Sequence, residues 1–271
     1  MNMFQSLELN RIVNPYYASR RQPSATTTKS STPTKPPIRF ARLPLAPKNA
    51  SPVPHLTSLY HFDRAGEYGD RSYPGNCGGN LIKDLLLYFR STKVFDLMSG
   101  SGTCRDVCRE LNIECVSNDI HQGFDLCDPA NFHGESRRFD RRTFDFVWLH
   151  PPYWRQKLYA NDPRDLSRTP TLDAFLERYA MAIAHAAFVL KPGGKLAILM
   201  GDYCDYSEGF VPLTHHTKRI AFDCGLRQCC TDIVRFSHGA SSSKKVYKSS
   251  FIPGLHDICS IFTKPESTTN S

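Results

Sequence analysis

The sequence predicts an α/β protein built on a doubly wound, largely parallel sheet. From about residue 70 onwards, short apolar runs typical of buried strands alternate with longer amphipathic segments typical of helices. A glycine-containing segment follows the first of these strands, and a Pro-Pro pair follows a later one. Both motifs therefore lie where strands end, which is the edge at which doubly wound sheets bind their ligands.

Each element is predicted from its own local pattern. The chain from Thr171 to Leu190 is amphipathic over five turns, begins at a threonine suited to cap a helix and ends at K-P-G-G. Shorter helices are predicted over Asn80–Phe89, Gly102–Leu111 and His215–Cys224. Strands are predicted over Lys93–Met98, Ile113–Ser117, Phe144–Leu149, Lys195–Met200, Leu226–Phe236 and His256–Phe262.

The beginning of the chain differs in composition from the rest. Residues 1–50 carry eight basic side chains against one acid, a charge of +7, whereas residues 51–271 carry 26 basic and 25 acidic groups, a charge of +1. From Ser19 to about Pro54 the chain is rich in Pro, Ser and Thr and gains too little apolar burial to offset its ordering entropy. We therefore predict a disordered basic tail over residues 1–54 and one folded domain over residues 55–271. Its acid-poor composition also leaves an organellar targeting role open.

No apolar run reaches the roughly eighteen residues that a membrane-spanning helix needs, and the N-terminus lacks the apolar core of a secretory signal. The sequence thus predicts an intracellular, cytoplasmic protein without a membrane partner.

Ten cysteines raise the question of a metal site, but no C-x-x-C pair occurs. Scattered thiols in an intracellular chain are mostly small buried apolar groups, and we expect no metal. The alternative is a metal site with ligands drawn from Cys204, His215, His216, Cys229 and Cys230.

The segment F-D-L-M-S-G-S-G-T, residues 95–103, leads from a strand through glycines into a helix. Gly100 and Gly102 allow a ligand to approach the backbone, and the helix N-terminus offers free N–H groups. Asp119 ends the next strand, where doubly wound folds hold the ribose hydroxyls of an adenosine ligand. Because the third glycine of G-x-G-x-x-G is missing, a cofactor with adenosine and an amino-acid tail is favoured over a dinucleotide.

The segment L-H-P-P-Y-W, residues 149–154, follows the strand Phe144–Leu149. Two consecutive prolines end the sheet pairing and fix a rigid turn at the ligand-binding edge, and this turn holds Tyr153 as a flat platform. A purely structural turn is the alternative.

In this order the two segments resemble the amino-methyltransferase family that modifies adenine or cytosine in DNA, which carries a D-x-F-x-G-S-G-T-like loop and a (D/N/S)-P-P-(Y/F/W) loop. The resemblance covers roughly residues 70 to 265 and includes Tyr159 with Asp165-Leu166-Ser167, V-L-K-P-G-G-K-L at 189–196 and G-L-H-D-I-C-S-I-F-T-K-P at 254–265. It implies the Rossmann-like fold of the class I methyltransferases, S-adenosyl-L-methionine as the cofactor and DNA as the favoured partner.

The resemblance also implies residue roles. The side chain of His150 and the carbonyl of Pro151 would accept hydrogen bonds from the substrate amine, Pro152 would keep the loop rigid, and Tyr153 would stack on a flipped base. Asp119 would hold the ribose of the cofactor. Asp125 would contact its adenine, with a surface-loop carboxylate as the alternative. The methionine part would be surrounded by Asp96, Gly100, Ser101, Gly102 and Thr103, and Asn76 to Gly79 would form a further cofactor segment. Trp154 is predicted either to extend the platform or to pack in the core.

Two departures from the family pattern limit these expectations. The catalytic loop begins with His150 in place of Asp, Asn or Ser, and the only candidate for a target-recognition region is the loop 237–250. Methylation of an RNA base or of a protein amide therefore remains an alternative, as does a non-catalytic binding module.

Overall fold

The structure is a computed structural model that describes residues 48–62, 66–136, 143–236, 252 and 254–266. Most of the tail predicted over residues 1–54 and the whole candidate recognition loop 237–250 lie outside these residues. Within the described part of the tail, Val53 is buried.

The described residues form ten strands and five helices. In chain order these are β1 (Leu59–Tyr60), α1 (Asn80–Phe89), β2 (Lys93–Asp96), α2 (Thr103–Glu110), β3 (Glu114–Ser117), α3 (Pro129–Ser136), β4 (Phe144–Leu149), α4 (Leu172–Val189), β5 (Leu190–Met200), β6 (Tyr203–Asp205), β7 (Gly209–Val211), α5 (Leu213–Asp223), β8 (Arg227–Gln228), β9 (Ile233–Phe236) and β10 (His256–Thr263). Short 3-10 turns lie at Ile120–Gln122, Trp154–Gln156 and Leu166–Arg168.

Eight strands form one sheet in the order β1-β9-β10-β5-β4-β2-β3, with β8 also paired to β10. The strands β3, β2, β4 and β5 are parallel, and β10 is antiparallel to both β5 and β9. Helices cover both faces. The side of the sheet that carries Phe95 and Ile198 packs with α4 and α5, whereas the side that carries Val94 and Leu199 packs with α1 and α2. The chain therefore has the α/β, Rossmann-like, doubly wound architecture that the sequence predicted.

The predicted elements are recovered with shifts of a few residues at their ends, and β4 has the predicted bounds. Thr171 caps the N-terminus of α4, and its hydroxyl accepts the N–H of Ala174 at 3.2 Å. The K-P-G-G segment was predicted to be a turn between helix and strand. It instead forms an irregularity within β5, where pairing with β4 passes from Phe144↔Leu190 to Phe146↔Lys195.

The predicted strand Leu226–Phe236 is wrong as a single element, because it consists of β8 and β9 with a break between them. The break is stabilised by side chains: Asp232 accepts hydrogen bonds from Ser260 at 2.8 Å and from Gln228 at 3.1 Å. These side-chain hydrogen bonds stabilise an interruption of the strand pairing at this point. Helix α3 and the hairpin β6–β7 were not predicted. Among the described residues, no helix is both long and apolar enough to cross a membrane.

Candidate active site

Strand β2 lies between β3 and β4, so the order of the strands reverses beside it. Chains that leave neighbouring strands in opposite directions at such a point open a crevice at the carboxyl edge of the sheet. Here the crevice is an open cleft of about 840 Å³, a volume that includes its mouth. It is bordered both by the segment after β2 and by the segment after β4. The structure thus brings together the two motifs that the sequence singled out.

The glycine loop turns sharply between β2 and α2. Gly100 and Gly102 have φ values of 47° and 81°, in the region that favours glycine. A Cβ atom on Gly102 would lie 2.7 Å from the guanidinium of Arg105, and one on Gly100 would lie 2.9 Å from the ring of Tyr73. Ser101 and Thr103 line the cleft and their hydroxyls are 3.1 Å apart. The loop therefore leaves backbone and small hydroxyls facing a ligand.

Asp96 is the last residue of β2 and only 1% of it is exposed. Its Oδ2 accepts a hydrogen bond from the Ser117 hydroxyl at 3.2 Å, and it borders the cleft. Burial raises the pKa of the Asp96 carboxyl well above its ordinary value. A cationic group bound in the cleft beside this carboxyl would favour its ionised form.

Asp119 follows β3 and joins the glycine loop to the neighbouring turn. Its Oδ2 accepts the N–H of Gly100 at 2.8 Å, and its Oδ1 accepts the N–H of His121 and lies 2.6 Å from His121 Nδ1. Oδ2 accepts only one of these bonds and keeps a second lone pair, so Asp119 can still accept from a ligand hydroxyl through this oxygen.

Asp125 also borders the cleft, and its carboxylate is paired within the protein. It lies 3.1 Å from a guanidinium nitrogen of Arg178 and accepts the N–H of Cys127 at 2.8 Å. Arg178 in turn donates to the carbonyl of Arg164, another residue of the cleft, at 2.6 Å. The ion pair of Asp125 with Arg178 therefore fixes the part of the cleft wall that follows β3 in the chain.

His150 and Pro152 border the cleft directly after β4. His150 Nε2 lies 3.3 Å from the hydroxyl of Tyr153, which donates to Asp257 Oδ2 at 3.4 Å. Asp257 is held by two hydrogen bonds from Arg235, at 2.9 and 2.6 Å. Burial, and then the charge of Asp257, raise the pKa of the Tyr153 hydroxyl well above its ordinary value, so the hydroxyl keeps its proton. A chain of contacts thus links Arg235 and Asp257 in the sheet to the H-P-P segment.

Neither of the two aromatic residues after the prolines is among the residues that border the cleft. The ring of Tyr153 packs against Gly201, where an added Cβ would lie 2.7 Å from it. Trp154 is fully buried in the core, and its Nε1 donates to the carbonyl of Thr169 at 2.9 Å. Of the two predictions for Trp154, the structure therefore supports packing in the core.

Sequence reasoning missed an aromatic wall formed by Tyr73 and Tyr159. Their rings stack with centroids 5.9 Å apart, and both border the cleft. Tyr159 was noted only as a match to a family pattern, and Tyr73 lies in a segment without regular structure. In that segment Asn76 donates to the carbonyls of Tyr68 and Asp70 at 2.9 Å and to the Ser101 hydroxyl at 3.3 Å. The segment before α1 therefore packs over the glycine loop.

The D-L-S segment has a structural role. Asp165 is buried, accepts the N–H groups of Ser167 and Ala160 at 2.8 and 2.6 Å, and thereby caps a 3-10 turn. This turn holds the chain that carries Tyr159, whose N–H donates to the Ser167 hydroxyl at 3.3 Å.

The unpredicted hairpin β6–β7 follows β5 at the same edge of the sheet. Asp205 in β6 pairs at 2.7 Å with Arg155, which follows the H-P-P-Y-W segment, and this pairing lowers the pKa of Asp205. The hairpin presents Tyr206, 96% exposed, and Phe210, 62% exposed. Its signal in the sequence was only the turn S-E-G between short alternating segments.

The alternative metal set that includes Cys204, His215 and His216 does not converge within the described part of the chain. The thiols that do converge are three others: Cys104, Cys108 and Cys115.

No family model matches the sequence, and no curated protein matches it. Among solved structures, a Thermus thermophilus protein complexed with S-adenosyl-L-methionine and provisionally named a DNA modification methylase is 15% identical, with 66% of this chain and 59% of that chain covered and a TM-score of 0.38. A SAM-dependent methyltransferase from Archaeoglobus fulgidus is 15% identical over 68% of this chain and 93% of that one, with a TM-score of 0.41. A Burkholderia thailandensis 1,6-didemethyltoxoflavin-N1-methyltransferase is 12% identical, with 71% of this chain and 80% of that chain covered and a TM-score of 0.40.

The present chain spans less than two thirds of the length of the Thermus protein. At these TM-scores, none of the three similarities bears on the function of this chain.

Proposed function

We propose that this protein transfers a methyl group from S-adenosyl-L-methionine to an exocyclic amine of a base in DNA. The observation that supports this most is that the glycine loop and the H-P-P segment border one cleft, at the point where the strand order reverses. A cofactor held by the first segment and an amine held by the second would be neighbours. Direct group transfer depends on such proximity.

The cleft suits this cofactor, which supplies an activated methyl group when it is bound. Gly100, Ser101 and Thr103 border the cleft, and Gly100 turns the backbone there at positive φ without a side chain, which fits a ligand that lies against the backbone. The buried carboxyl of Asp96 fits the ammonium group of an amino-acid tail, and Asp119 fits ribose hydroxyls. The stacked rings of Tyr73 and Tyr159 offer an apolar wall.

On the substrate side, His150 and Pro151 are the residues we expect to orient the amine. The lone pair of an exocyclic amine is delocalised into the base, which makes the nitrogen a poor nucleophile. Hydrogen bonds donated by the amine to His150 and to the Pro151 carbonyl would favour a tetrahedral nitrogen with its lone pair directed at the methyl group. Each residue acts here by position.

The hydrogen bond between His150 and Tyr153 supports an accepting role for His150. The single hydroxyl proton of Tyr153 is donated to Asp257, so the hydroxyl oxygen is the acceptor when His150 carries its proton on Nε2. In that tautomer of neutral His150, Nδ1 is the accepting nitrogen. Stacking of Tyr153 on the base remains a prediction, beside this role of its hydroxyl.

The direct test is incubation with methyl-labelled cofactor and either unmethylated DNA or unmodified RNA, followed by digestion to nucleosides. We expect label in N6-methyladenine or N4-methylcytosine from DNA. Label that appears in RNA alone, or in protein alone, would overturn the choice of substrate.

Calorimetry tests the cofactor separately. We expect the dissociation constant for S-adenosyl-L-methionine to lie in the micromolar range. A dissociation constant of roughly 10 μM corresponds to a binding free energy of about 7 kcal/mol. Gly102→Val should weaken binding, because a β-branched side chain is strained at the positive φ of Gly102 and would distort the loop between Ser101 and Thr103, which border the cleft. Undiminished binding by this variant would contradict the placement of the cofactor.

A further inference from the structure

Three cysteines from two elements converge beside the glycine loop. Cys104 and Cys108 lie four residues apart on α2, so they share one face of the helix, and both are at most 1% exposed. Cys115 is the second residue of β3, which packs against α2. The three Sγ atoms all lie within 4.8 Å of one another.

We propose that Cys104, Cys108 and Cys115 form a three-sulfur site for one thiophilic metal ion of the Zn²⁺ type. Three sulfurs arranged around an ion at about 2.3 Å each are roughly 4 Å apart, so this cluster is close to the geometry of a bound state. The side chains need only a small contraction to reach it.

The donor set determines the class of ion. No imidazole nitrogen or carboxylate oxygen joins the cluster among the described residues, so the protein offers sulfur alone. Thiolates select soft or borderline ions such as Zn²⁺ over Mg²⁺ or Ca²⁺. On binding, three S–H bonds break, three protons pass to solvent, and three sulfur–metal bonds form. The fourth position of a tetrahedral ion is left for a water molecule or an added ligand.

Ordinary packing of thiols in an apolar core is the alternative, and the same core provides a comparison. Cys77, Cys229 and Cys259 belong to the same hydrophobic cluster as the three proposed ligands. Yet they form no group of three metal-ligating side chains in the described part of the chain. Burial of cysteines in this core therefore does not by itself bring their sulfur atoms together.

The position of the site gives it a structural consequence. Cys104 follows Thr103 directly, and both residues border the cleft. An ion held by Cys104, Cys108 and Cys115 would tie the first two turns of α2 to β3, and would thereby fix the end of the glycine loop. We expect ion binding to stabilise the folded protein, since a preformed site of this kind is absent from the unfolded chain.

The test uses the full chain, reduced, stripped of metal and titrated with Cd²⁺ in the presence of a competing chelator. Cd²⁺ bound to thiolates absorbs in the ultraviolet, so its binding is read directly and without any activity assay. We expect one tightly bound ion per chain. Cys115→Ser should weaken binding at least about a hundredfold. The double variant Cys204→Ser, Cys230→Ser, which removes two exposed thiols, should leave it unchanged.

A second measurement uses the wild-type protein, so it is informative even if Cys115→Ser does not fold. X-ray absorption on the wild-type protein loaded with one equivalent of Zn²⁺ should show three sulfur neighbours, and Zn²⁺ should raise the melting temperature of the wild type but not of Cys115→Ser. The proposal is overturned if the wild type binds no ion tightly or if the bound ion has fewer than three sulfur neighbours. It is equally overturned if only the double variant loses binding.

Discussion

His150 Nε2 lies 3.3 Å from the hydroxyl of Tyr153, so the first and last residues of the H-P-P-Y segment are in contact. The proline pair between them sets the turn that makes this contact possible. Because the hydroxyl also donates to Asp257, its oxygen can accept from His150 in the tautomer that carries the proton on Nε2.

Tyr153→Phe therefore removes the group that orients His150 while it keeps the aromatic ring. We expect the rate of methyl transfer to fall by a few-fold to about tenfold, the equivalent of one hydrogen bond of about 0.5–1.5 kcal/mol. Cofactor affinity should be unchanged, because Tyr153 is not among the residues that border the cleft. Single-turnover kinetics and calorimetry on the same samples separate the two quantities. A variant with the wild-type rate would show that the contact does not matter for transfer.

The pair of Arg235 and Asp257 is expected to be essential for stability. Its side chains are 7% and 5% exposed, and Arg235 also donates to the Cys77 carbonyl at 3.0 Å. Arg235→Met leaves the Asp257 carboxylate buried without its cation, at a cost of about 3–5 kcal/mol in the free energy of unfolding.

The control for this experiment is Arg155→Met, because Arg155 pairs with Asp205 but is 35% exposed. There we expect a cost of about 1 kcal/mol or less. The double variant Arg235→Met, Asp257→Leu should recover much of the stability that the single variant loses. Urea unfolding of all three proteins tests this. Equal losses for Arg235→Met and Arg155→Met would contradict it.

Asp96 is expected to make both cofactor affinity and stability depend on pH. The ionised carboxylate is the form that pairs with an ammonium group, and burial raises the pKa of this carboxyl. Affinity should therefore rise with pH through the raised pKa. Asp96→Asn should lose this pH dependence and bind the cofactor about ten- to a hundredfold more weakly, the scale of one charge-assisted hydrogen bond.

Stability of the cofactor-free protein should change in the opposite direction. The folded state holds the Asp96 proton more tightly than the unfolded state does. The free energy of unfolding should thus fall as the pH rises from the ordinary carboxyl pKa of about 3.9 towards the raised one, by at most about 1.4 kcal/mol per pH unit. Asp96→Asn removes this contribution. Unfolding curves at several pH values check the sign, and parallel pH profiles for the two proteins would contradict it.

The hairpin β6–β7 supplies an expectation about nucleic acid. Tyr206 is 96% exposed at a hairpin that Arg155 ties to the segment after the catalytic loop. Stacking of one base on an aromatic side chain is worth about 1–3 kcal/mol, so Tyr206→Ala should weaken DNA binding about fivefold or more and leave cofactor affinity unchanged. Tyr88→Ala, at an exposed tyrosine of α1, is the matched control. If both variants bind DNA like the wild type, the hairpin is not a DNA contact.

Local sequence was sufficient for elements whose pattern is strong. The bounds of β4 could be predicted because F-D-F-V-W-L is an almost continuous apolar run that is soon followed by two prolines. Helix α4 could be predicted because its amphipathic pattern extends over five turns. The three-residue strands of the hairpin were missed because a segment so short has no measurable periodicity. The break between β8 and β9 depends on hydrogen bonds from Gln228 and Ser260 to Asp232, which local pattern does not contain.

The same distinction applies to the site. The glycine loop and the H-P-P segment were found because glycine and proline have strong local meanings. The stacking of Tyr73 on Tyr159 and the meeting of Cys115 with Cys104 join residues from separate elements. Such pairs become visible only when the parallel sheet places β2, β3 and β4 side by side.

His150 is the residue whose substitution tests the proposed mechanism most directly. A neutral imidazole has one ring nitrogen that can accept a hydrogen bond from the amine. His150→Ala should lose about a hundredfold or more in rate, the scale of one preorganised transition-state hydrogen bond, and should keep its affinity for the cofactor.

His150→Asp and His150→Asn serve as the matched replacements, because each retains an accepting oxygen in the position that the family fills with Asp or Asn. Both should keep partial activity, because an oxygen can still accept a hydrogen bond from the amine. Pre-steady-state rates distinguish the three variants from the wild type. If His150→Ala transfers methyl groups at the wild-type rate, the amine is held by other groups and the imidazole only completes the contact with Tyr153.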